Sequence, residues 1–350
     1  MNQWIFLSLS GLIFGLIIFL GWRYLPGERF QILASVPVAR DDQGLWRGIN
    51  FTWYGLLLAT ATIIGITYIL LLCLAAGIAL GPLLSLLAAI IVLCVPAARW
   101  VARLVEKKQY TFTIGGAFFC GLVTTPLIIL LVNVGCRLLE LPTLPMQIVL
   151  AALAIGYILG EGLGRLACLS FGCCYGKRLD QCGKVLSFLL GKIAVVFTGP
   201  TKKAVYEGHL AGIKLVPIQG ITSLLYTATG LSGCHLFFQG SYRSAFLFCL
   251  LVSQIWRIVS ELFRADFRGF ASVSAYQKMG LAAIVYGILL CLIPPFPELP
   301  LPNISRGLNQ LFNPLLILGL TGLWFALFLH FGRSMVTSAT LSFEVRHNCI

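Results

Sequence analysis

Charge is what this 350-residue chain has least of. Asp, Glu, Lys and Arg make up 11% of it, against roughly 25% in an ordinary soluble domain. A soluble fold of this length needs far more polar surface, so a water-soluble globular protein is excluded. Acidic residues are the scarcest, 12 against 25 Lys+Arg, which leaves a net charge of +13. No RNA- or DNA-binding module accompanies that excess, and the basic residues sit in short loops between apolar runs. The placement fits anionic lipid headgroups or an anionic substrate and argues against nucleic acid as a partner. A small-residue cleavage site is missing after the first apolar run, residues 4–22, and Trp22-Arg23 flanks it, so it reads as an uncleaved helix. No internal repeat is visible, which removes the main support for an inverted-repeat transporter.

What the chain has in abundance is apolar sequence, 59% of its residues. A bilayer core of about 30 Å asks for about 20 apolar residues per helix, and runs of that length recur from end to end. Helices are expected at about 4–22, 53–76, 80–98, 112–132, 145–164, 217–238, 244–263, 277–294 and 313–331. The sixth is weakened by Gln219, Gly220, Thr222 and Ser223. The fold class is therefore all-α: a polytopic transmembrane helical protein with about 7–9 spans and a small mixed head domain. We divide the chain into 1–50, an extra N-terminal helix and loop; 51–294, the main membrane domain with a head insertion at about 177–216; and 295–350, a C-terminal helix and tail. Within the head, Ile193–Phe197 reads as a β-like run and Thr198-Gly199-Pro200 as a turn. The basic loop 99–111 and the basic head fall on one side if every run spans. A head that binds phosphate carries basic residues for its own reasons, so charge alone assigns no orientation.

The densest chemical signal is Gly160-Glu161-Gly162-Leu163-Gly164-Arg165, continuing through Cys168, Gly172, Cys173, Cys174 and Gly176. Glu161 and Arg165 stand i, i+4, the favourable order for a helical ion pair. Ionisable residues inside a membrane mark function by default; the plainer reading is a pair that clamps a helix end. A second element, Arg257, Glu261 and Arg264, shares one helix face at i, i+4 and i, i+7. Two arginines against one carboxylate leave a guanidinium for a phosphodiester, although interfacial snorkelling accounts for Arg264 on its own. Cys168, Cys173, Cys174 and Cys182 follow C-x4-C-C-x7-C, and adjacent cysteines fit a tetrahedral metal site poorly. Packing or a disulfide is the expected role, with no metal. The remaining cysteines in apolar runs read as small buried hydrophobes. His209 reads as a solvated loop residue, with a base brought by the head as the sharper alternative. His235 reads as a buried, satisfied residue.

These residues resemble the phosphatidylglycerol–prolipoprotein diacylglyceryl transferases of bacteria. The family signature Gly-Arg-x-Gly-Asn-Phe-x-x-Gly-x-x-x-Gly is matched by Gly164, Arg165, Gly172 and Gly176, with Ala167 and Cys168 replacing Gly and Asn. Its early Tyr-Gly is matched by Trp53-Tyr54-Gly55-Leu56, its Arg-Phe-x-x-Glu-x-x-Arg by Arg257, Glu261 and Arg264, and its Pro-x-Gln by Pro217-Ile218-Gln219. Ser274 and Gln277 loosely match its Ser-x-x-Gln. The family's His-Gly-Gly is Ile114-Gly115-Gly116 here, without the histidine. The resemblance implies a catalytic set of Tyr54, Glu161, Arg165 and Arg257. It implies substrate contacts at Gly115, Gly116, Cys168, Gly172, Gly176, Gln219, Glu261 and Arg264, and no cofactor or metal. It implies a multi-pass protein of the bacterial inner membrane that moves diacylglyceryl from phosphatidylglycerol, or a similar anionic phospholipid, to a prolipoprotein signal-peptide cysteine. A relative with another lipid or acceptor, or a non-catalytic lipid-binding or translocating protein, is the alternative.

Overall fold

Backbone polar groups in lipid must be bonded within their own segment, and the apolar runs form helices accordingly. The computed structural model describes residues 2–106, 114–266, 274–294 and 301–350. In chain order it holds α1 (Gln3–Tyr24), β1 (Ile32–Arg40), β2 (Trp46–Thr52), α2 (Trp53–Ala75), α3 (Leu80–Glu106), α4 (Ile114–Leu138) and α5 (Met146–Phe171). The short α6 (Lys184–Leu190) and α7 (Lys203–Tyr206) belong to the head. Then come α8 (Ile218–Phe238), α9 (Tyr242–Glu261), α10 (Ala275–Leu292), α11 (Ile304–Leu311), α12 (Pro314–Gly332) and β3 (Arg333–Leu341).

Among the described residues, seven helices are long and apolar enough to cross a membrane: α1, α2, α4 (from Gly115), α5, α9, α10 and α12. The polar residues of α8 keep it outside that set, and the apolar part of α3, Leu80–Cys94, is shorter. Residues 107–113, with Lys107 and Lys108 of the basic loop and the expected start of the fourth helix, lie outside the described residues.

The core is built around α5, which packs on α1, α2, α8 and α9. Small residues allow the closest of these approaches, as is common between membrane helices. A Cβ on Gly156 would lie 2.6 Å from the Gly65 carbonyl oxygen on α2, and one on Gly65 would lie 2.7 Å from the Gly156 oxygen. Thr52 caps α2, accepting from Gly55 N–H at 3.3 Å and donating to the Gly332 carbonyl at 3.1 Å. A Cβ on Gly55 would sit 2.2 Å from Gly332 Cα, which is backbone and has nowhere to go. Gly55→Ala is therefore expected to destabilise by about 1–3 kcal/mol, the usual range for overpacking. Unfolding in detergent checks this, with Gly15→Ala as the control because nothing lies within 4 Å of its added Cβ. Equal midpoints for the two variants would refute the close approach.

The three strands form one antiparallel sheet in the order β1-β2-β3, with Val36 opposite Ile49 and Gly48 opposite Ala339. It joins the segment before α2 to the segment after α12. The sequence reading placed only loops there. Pro37 interrupts β1 near a register shift, and β3 lies far along the chain from its partner. The β2–β3 pairing leaves no local signal, whereas β1 and β2 form a hairpin of adjacent segments.

The head sits on the ends of α1 and α5 through Leu25, Leu166, Leu169, Val195, Phe197 and Leu215. The expected β-run at 193–197 is reduced to one bridge, Val195 with Leu215. Burial of Val195 and Phe197 produced the apolar pattern without a strand. The turn is present, with Gly199 at φ +105°. Lys202 is fully buried and donates to the Leu25 carbonyl at 2.9 Å and to the Ser170 carbonyl. Burial pushes its ammonium down to about 7, partly offset by Glu28. A neutral amine has two N–H groups for these two acceptors, whereas the ammonium carries a third with no protein partner. The unfolded lysine stays protonated to about pH 10.4. Between those values the unfolded state binds more protons, so this group makes stability rise with pH, from about 7 upward. Wild type should gain thermal stability between pH 7 and 9 relative to Lys202→Met; parallel profiles would remove Lys202 as the source.

Candidate functional site

Helical spacing stacks three polar side chains on the inner face of α5. Tyr157, Glu161 and Arg165 recur every fourth residue, which places them one turn apart. Glu161 is the hub. Its carboxylate, 1% exposed, accepts from the Tyr157 hydroxyl and from Arg165. From α9, Arg257 Nη2 donates to both Glu161 oxygens at 2.8 Å and to the Tyr157 hydroxyl oxygen at 2.7 Å. Two guanidinium groups thus meet one carboxylate, leaving one unit of positive charge in a buried place. Each arginine also keeps its Nε–H buried with no protein acceptor among the described residues. Buried donors call for partners, and these belong to a site with surplus positive charge.

Neighbouring elements hold the arginines. A Cβ on Gly115 of α4 would lie 2.5 Å from Arg257 Nη1, so that position has to be glycine for Arg257 to lie there. Phe118, one turn further along α4, places its ring 6.0 Å from the Arg257 guanidinium carbon and 4.3 Å from the Tyr157 ring. Tyr157 and Phe118 also line an apolar cavity of about 230 Å³, together with Leu122, Ala154, Phe246 and Leu250. The cationic centre therefore lies at the wall of an apolar chamber.

Below Arg165, α5 ends at Gly172, in the left-handed region at φ +73°, whose N–H returns to the Cys168 carbonyl at 2.8 Å. The Cys173 N–H follows to the same carbonyl at 3.2 Å, and Cys174 is itself left-handed at φ +55°. This reversal is a helix C-cap with a positive-φ glycine, and it folds the chain back over the helix end. The Cys168, Cys173 and Cys174 sulfurs consequently lie within 4.8 Å of one another. All four cysteines of the motif are free thiols, so of the two expected roles, packing or a disulfide, the disulfide is not formed, and Cys182 bonds to the Arg178 carbonyl. Hydrogen bonds from the Cys168 and Cys173 thiols hold the Cys174 thiol below its ordinary range, burial opposes them, and the Arg264 and Arg165 charges assist. Gln219 of α8 supports the loop from beneath, donating to the Cys173 carbonyl at 2.8 Å. Tyr54, at the start of α2, packs against Phe171 with ring centres 5.6 Å apart and planes tilted by 59°, and is within electrostatic reach of the three cysteines and Arg165.

The structure thus brings Tyr54, Glu161, Arg165, Arg257, Gly115, Cys168, Gly172 and Gln219 around one region. Gly116 is buried beside Gly115, and Ile114 begins α4 with its side chain outside the described residues. Gly176 lies further out, where a Cβ would be 2.3 Å from the Val216 oxygen; it pairs with Arg264 across a bridge. The second element departs from its sequence reading. Because α9 stops at Glu261, Arg264 is not on the helix face; it grips Asp266 through two bonds at 2.8 and 2.7 Å, with Glu261 at 3.9 Å. The partner of Arg257 is Glu161 across the helix interface, not Glu261. Ser274 and Gln277 form a reciprocal cap on α10, a structural role. His209 is exposed in the head. Tyr157 and Phe118 were missed, although Tyr157 stands one turn before Glu161 and could have been read from spacing.

The family profile described as prolipoprotein diacylglyceryl transferase matches residues 45–293. The chain belongs to the prolipoprotein diacylglyceryl transferase family. A relative in Dehalococcoides mccartyi, named phosphatidylglycerol–prolipoprotein diacylglyceryl transferase, is 28% identical over 146 residues, 40% of this chain and 46% of that protein. The chain therefore spans less than half the length of the curated relative it matches. The family match takes in β2 through α10, and with them every residue of the arginine centre and the cysteine loop.

Proposed function

We propose that the chain is a membrane-embedded transferase of the bacterial inner membrane, moving diacylglyceryl from phosphatidylglycerol to the cysteine thiol of a prolipoprotein signal peptide. The observation that carries this reading is the convergence of Arg165 and Arg257 on Glu161 at the wall of the apolar cavity. The donor is a lipid with a phosphodiester, and the site offers a chamber for acyl chains beside a surplus guanidinium charge.

In the reaction the acceptor sulfur attacks the glyceryl carbon, the carbon–oxygen bond breaks, and glycerol phosphate leaves. Negative charge grows on the leaving phosphate. Arg165 and Arg257 are placed to stabilise it by fixed charge in a water-poor site, usually the largest contribution to such catalysis. Glu161 is a positioning residue: it fixes both guanidinium groups and neutralises one of them. Tyr157 locks the Glu161 carboxylate and contributes to the cavity wall. The low-charge surroundings strengthen each of these interactions.

The test is purified protein in detergent or liposomes with glycerophosphate-distal label on the diacyl chains of phosphatidylglycerol and a lipobox peptide. Label should move to the peptide and fail to move to its Cys→Ser form. Lipid binding without transfer to any thiol peptide would overturn the transferase reading and favour a lipid-binding or translocating role.

A further inference from the structure

A thiol must lose its proton to act as a nucleophile, yet none of the hydrogen bonds and ion pairs described for this site involves a histidine. Of the four in the chain, His209, His330 and His347 are exposed, and His235 packs on Trp4 with a ring separation of 4.6 Å. His235 lies on α8 sixteen residues beyond Gln219, about 24 Å along the helix. Glu161 is fully engaged with two arginines. What the site does hold is a cluster of three free thiols at the turn after α5.

We propose that Cys168, Cys173 and Cys174 bind a thiophilic divalent cation, zinc in kind, whose fourth position takes the acceptor thiol and makes it a thiolate. This rests on the transferase reading for its role, but the metal site itself does not. Three sulfurs no more than 4.8 Å apart share a centre at most about 2.8 Å from each, against the roughly 2.3 Å of a Zn–S bond. Small side-chain shifts close that gap. Three protein ligands with one open position is the pattern of a catalytic zinc, whereas structural zinc takes four. Cys182, which would be the fourth, bonds elsewhere in the head. Soft thiolate ligands select zinc over magnesium or calcium.

The surroundings suit the charge. Three thiolates and one divalent cation carry a net negative charge, and Arg264 and Arg165 both act on Cys174. Arg165 links the two halves of the site: it pairs with Glu161 on one side and lies within charge–charge reach of Cys168 and Cys174 on the other. Cys173 and Cys174 are half-buried and Cys168 is buried, which keeps the cluster at the edge of the protein interior.

The step balances without a further reagent. The acceptor R–SH coordinates the cation and its proton passes to solvent, since a coordinating thiol is deprotonated outright. The thiolate pair forms the sulfur–carbon bond. The carbon–oxygen pair leaves with the phosphate as glycerol phosphate. The product is a neutral thioether, a weaker ligand, and it departs.

The experiment starts with the full chain purified in detergent without chelator, with zinc measured by elemental mass spectrometry. About one zinc per chain is expected, as for a single tri-thiolate site. Cys168→Ser, Cys173→Ser and Cys174→Ser should each lose most of it, while Cys182→Ser should keep it. Wild type stripped by chelator and refilled with Co²⁺ alone should show a thiolate-to-cobalt charge-transfer band, a result that does not depend on any variant folding. A chain without zinc and without that band overturns the proposal. Zinc bound, with peptide labelling equal in stripped and refilled protein, overturns the activating role. Zinc bound, with no labelling in any form, leaves the metal site standing and sinks the transferase reading instead.

Discussion

Replacing Glu161 with Gln is expected to destabilise the protein by about 3–5 kcal/mol, the range found when one partner of a buried ion pair is removed. The substitution keeps shape and volume and deletes only charge. It leaves Arg165 and Arg257, whose side chains are 16% and 12% exposed, facing each other with no negative charge between them. Their repulsion acts in low-dielectric surroundings, where it is least screened. The measurement is the unfolding midpoint in mixed detergent at matched lipid content. Glu207→Gln is the control, because its pair with Lys203 at 3.2 Å is largely solvated and such pairs contribute about 0–1 kcal/mol. If Glu161→Gln unfolds with the control, the carboxylate does not hold the arginines together.

The second large effect is on rate. Arg165→Ala and Arg257→Ala should each lower labelled transfer by about 10²–10³-fold, the usual loss for one preorganised charge donor. Because both act on one phosphate, the double variant should lose much less than the product of the two. Arg257→Lys should recover little: an ammonium can take the place of Nη2 beside Glu161 and Tyr157, but it leaves no second guanidinium nitrogen to hold a phosphate bidentately. Arg165 or Arg257 variants that transfer at close to the wild-type rate would remove these residues from the reaction.

Much of this site was legible along a single helix. The spacing of Glu161 and Arg165 within apolar surroundings implied a paired, functional element, and the pair forms. Tyr157 was just as readable by the same spacing. The apolar runs gave the helices to within a few residues, except that α3, α4 and α5 extend past their expected ends. What crossed between helices was not legible. Glu261 is four residues from Arg257 and looked like its partner, but the packing of α9 on α5 sets Arg257 against Glu161, while Glu261 lies 3.9 Å from Arg264. The gathering of three cysteine sulfurs was not legible either. Linear spacing such as C-x4-C-C looks unsuited to convergence, yet a left-handed Gly172 at a helix end returns the chain onto its own last turn. The third strand went unread because it comes from the far end of the chain, whereas the β1–β2 hairpin joins neighbouring segments and was simply passed over. Local pattern reports what neighbours in sequence do; the Arg257–Glu161 contact and the β2–β3 pairing depend on neighbours in space.

The most direct measurement of the central claim is where a phosphodiester binds. Phosphatidylglycerol bound to the purified chain, resolved by cryo-electron microscopy or crystallography, should place its phosphate within hydrogen-bond distance of both Arg165 and Arg257, with acyl chains entering the cavity lined by Phe118 and Tyr157. A phosphate held by the basic head or by Arg264 and lying away from Glu161, with both buried arginines untouched, would contradict the account.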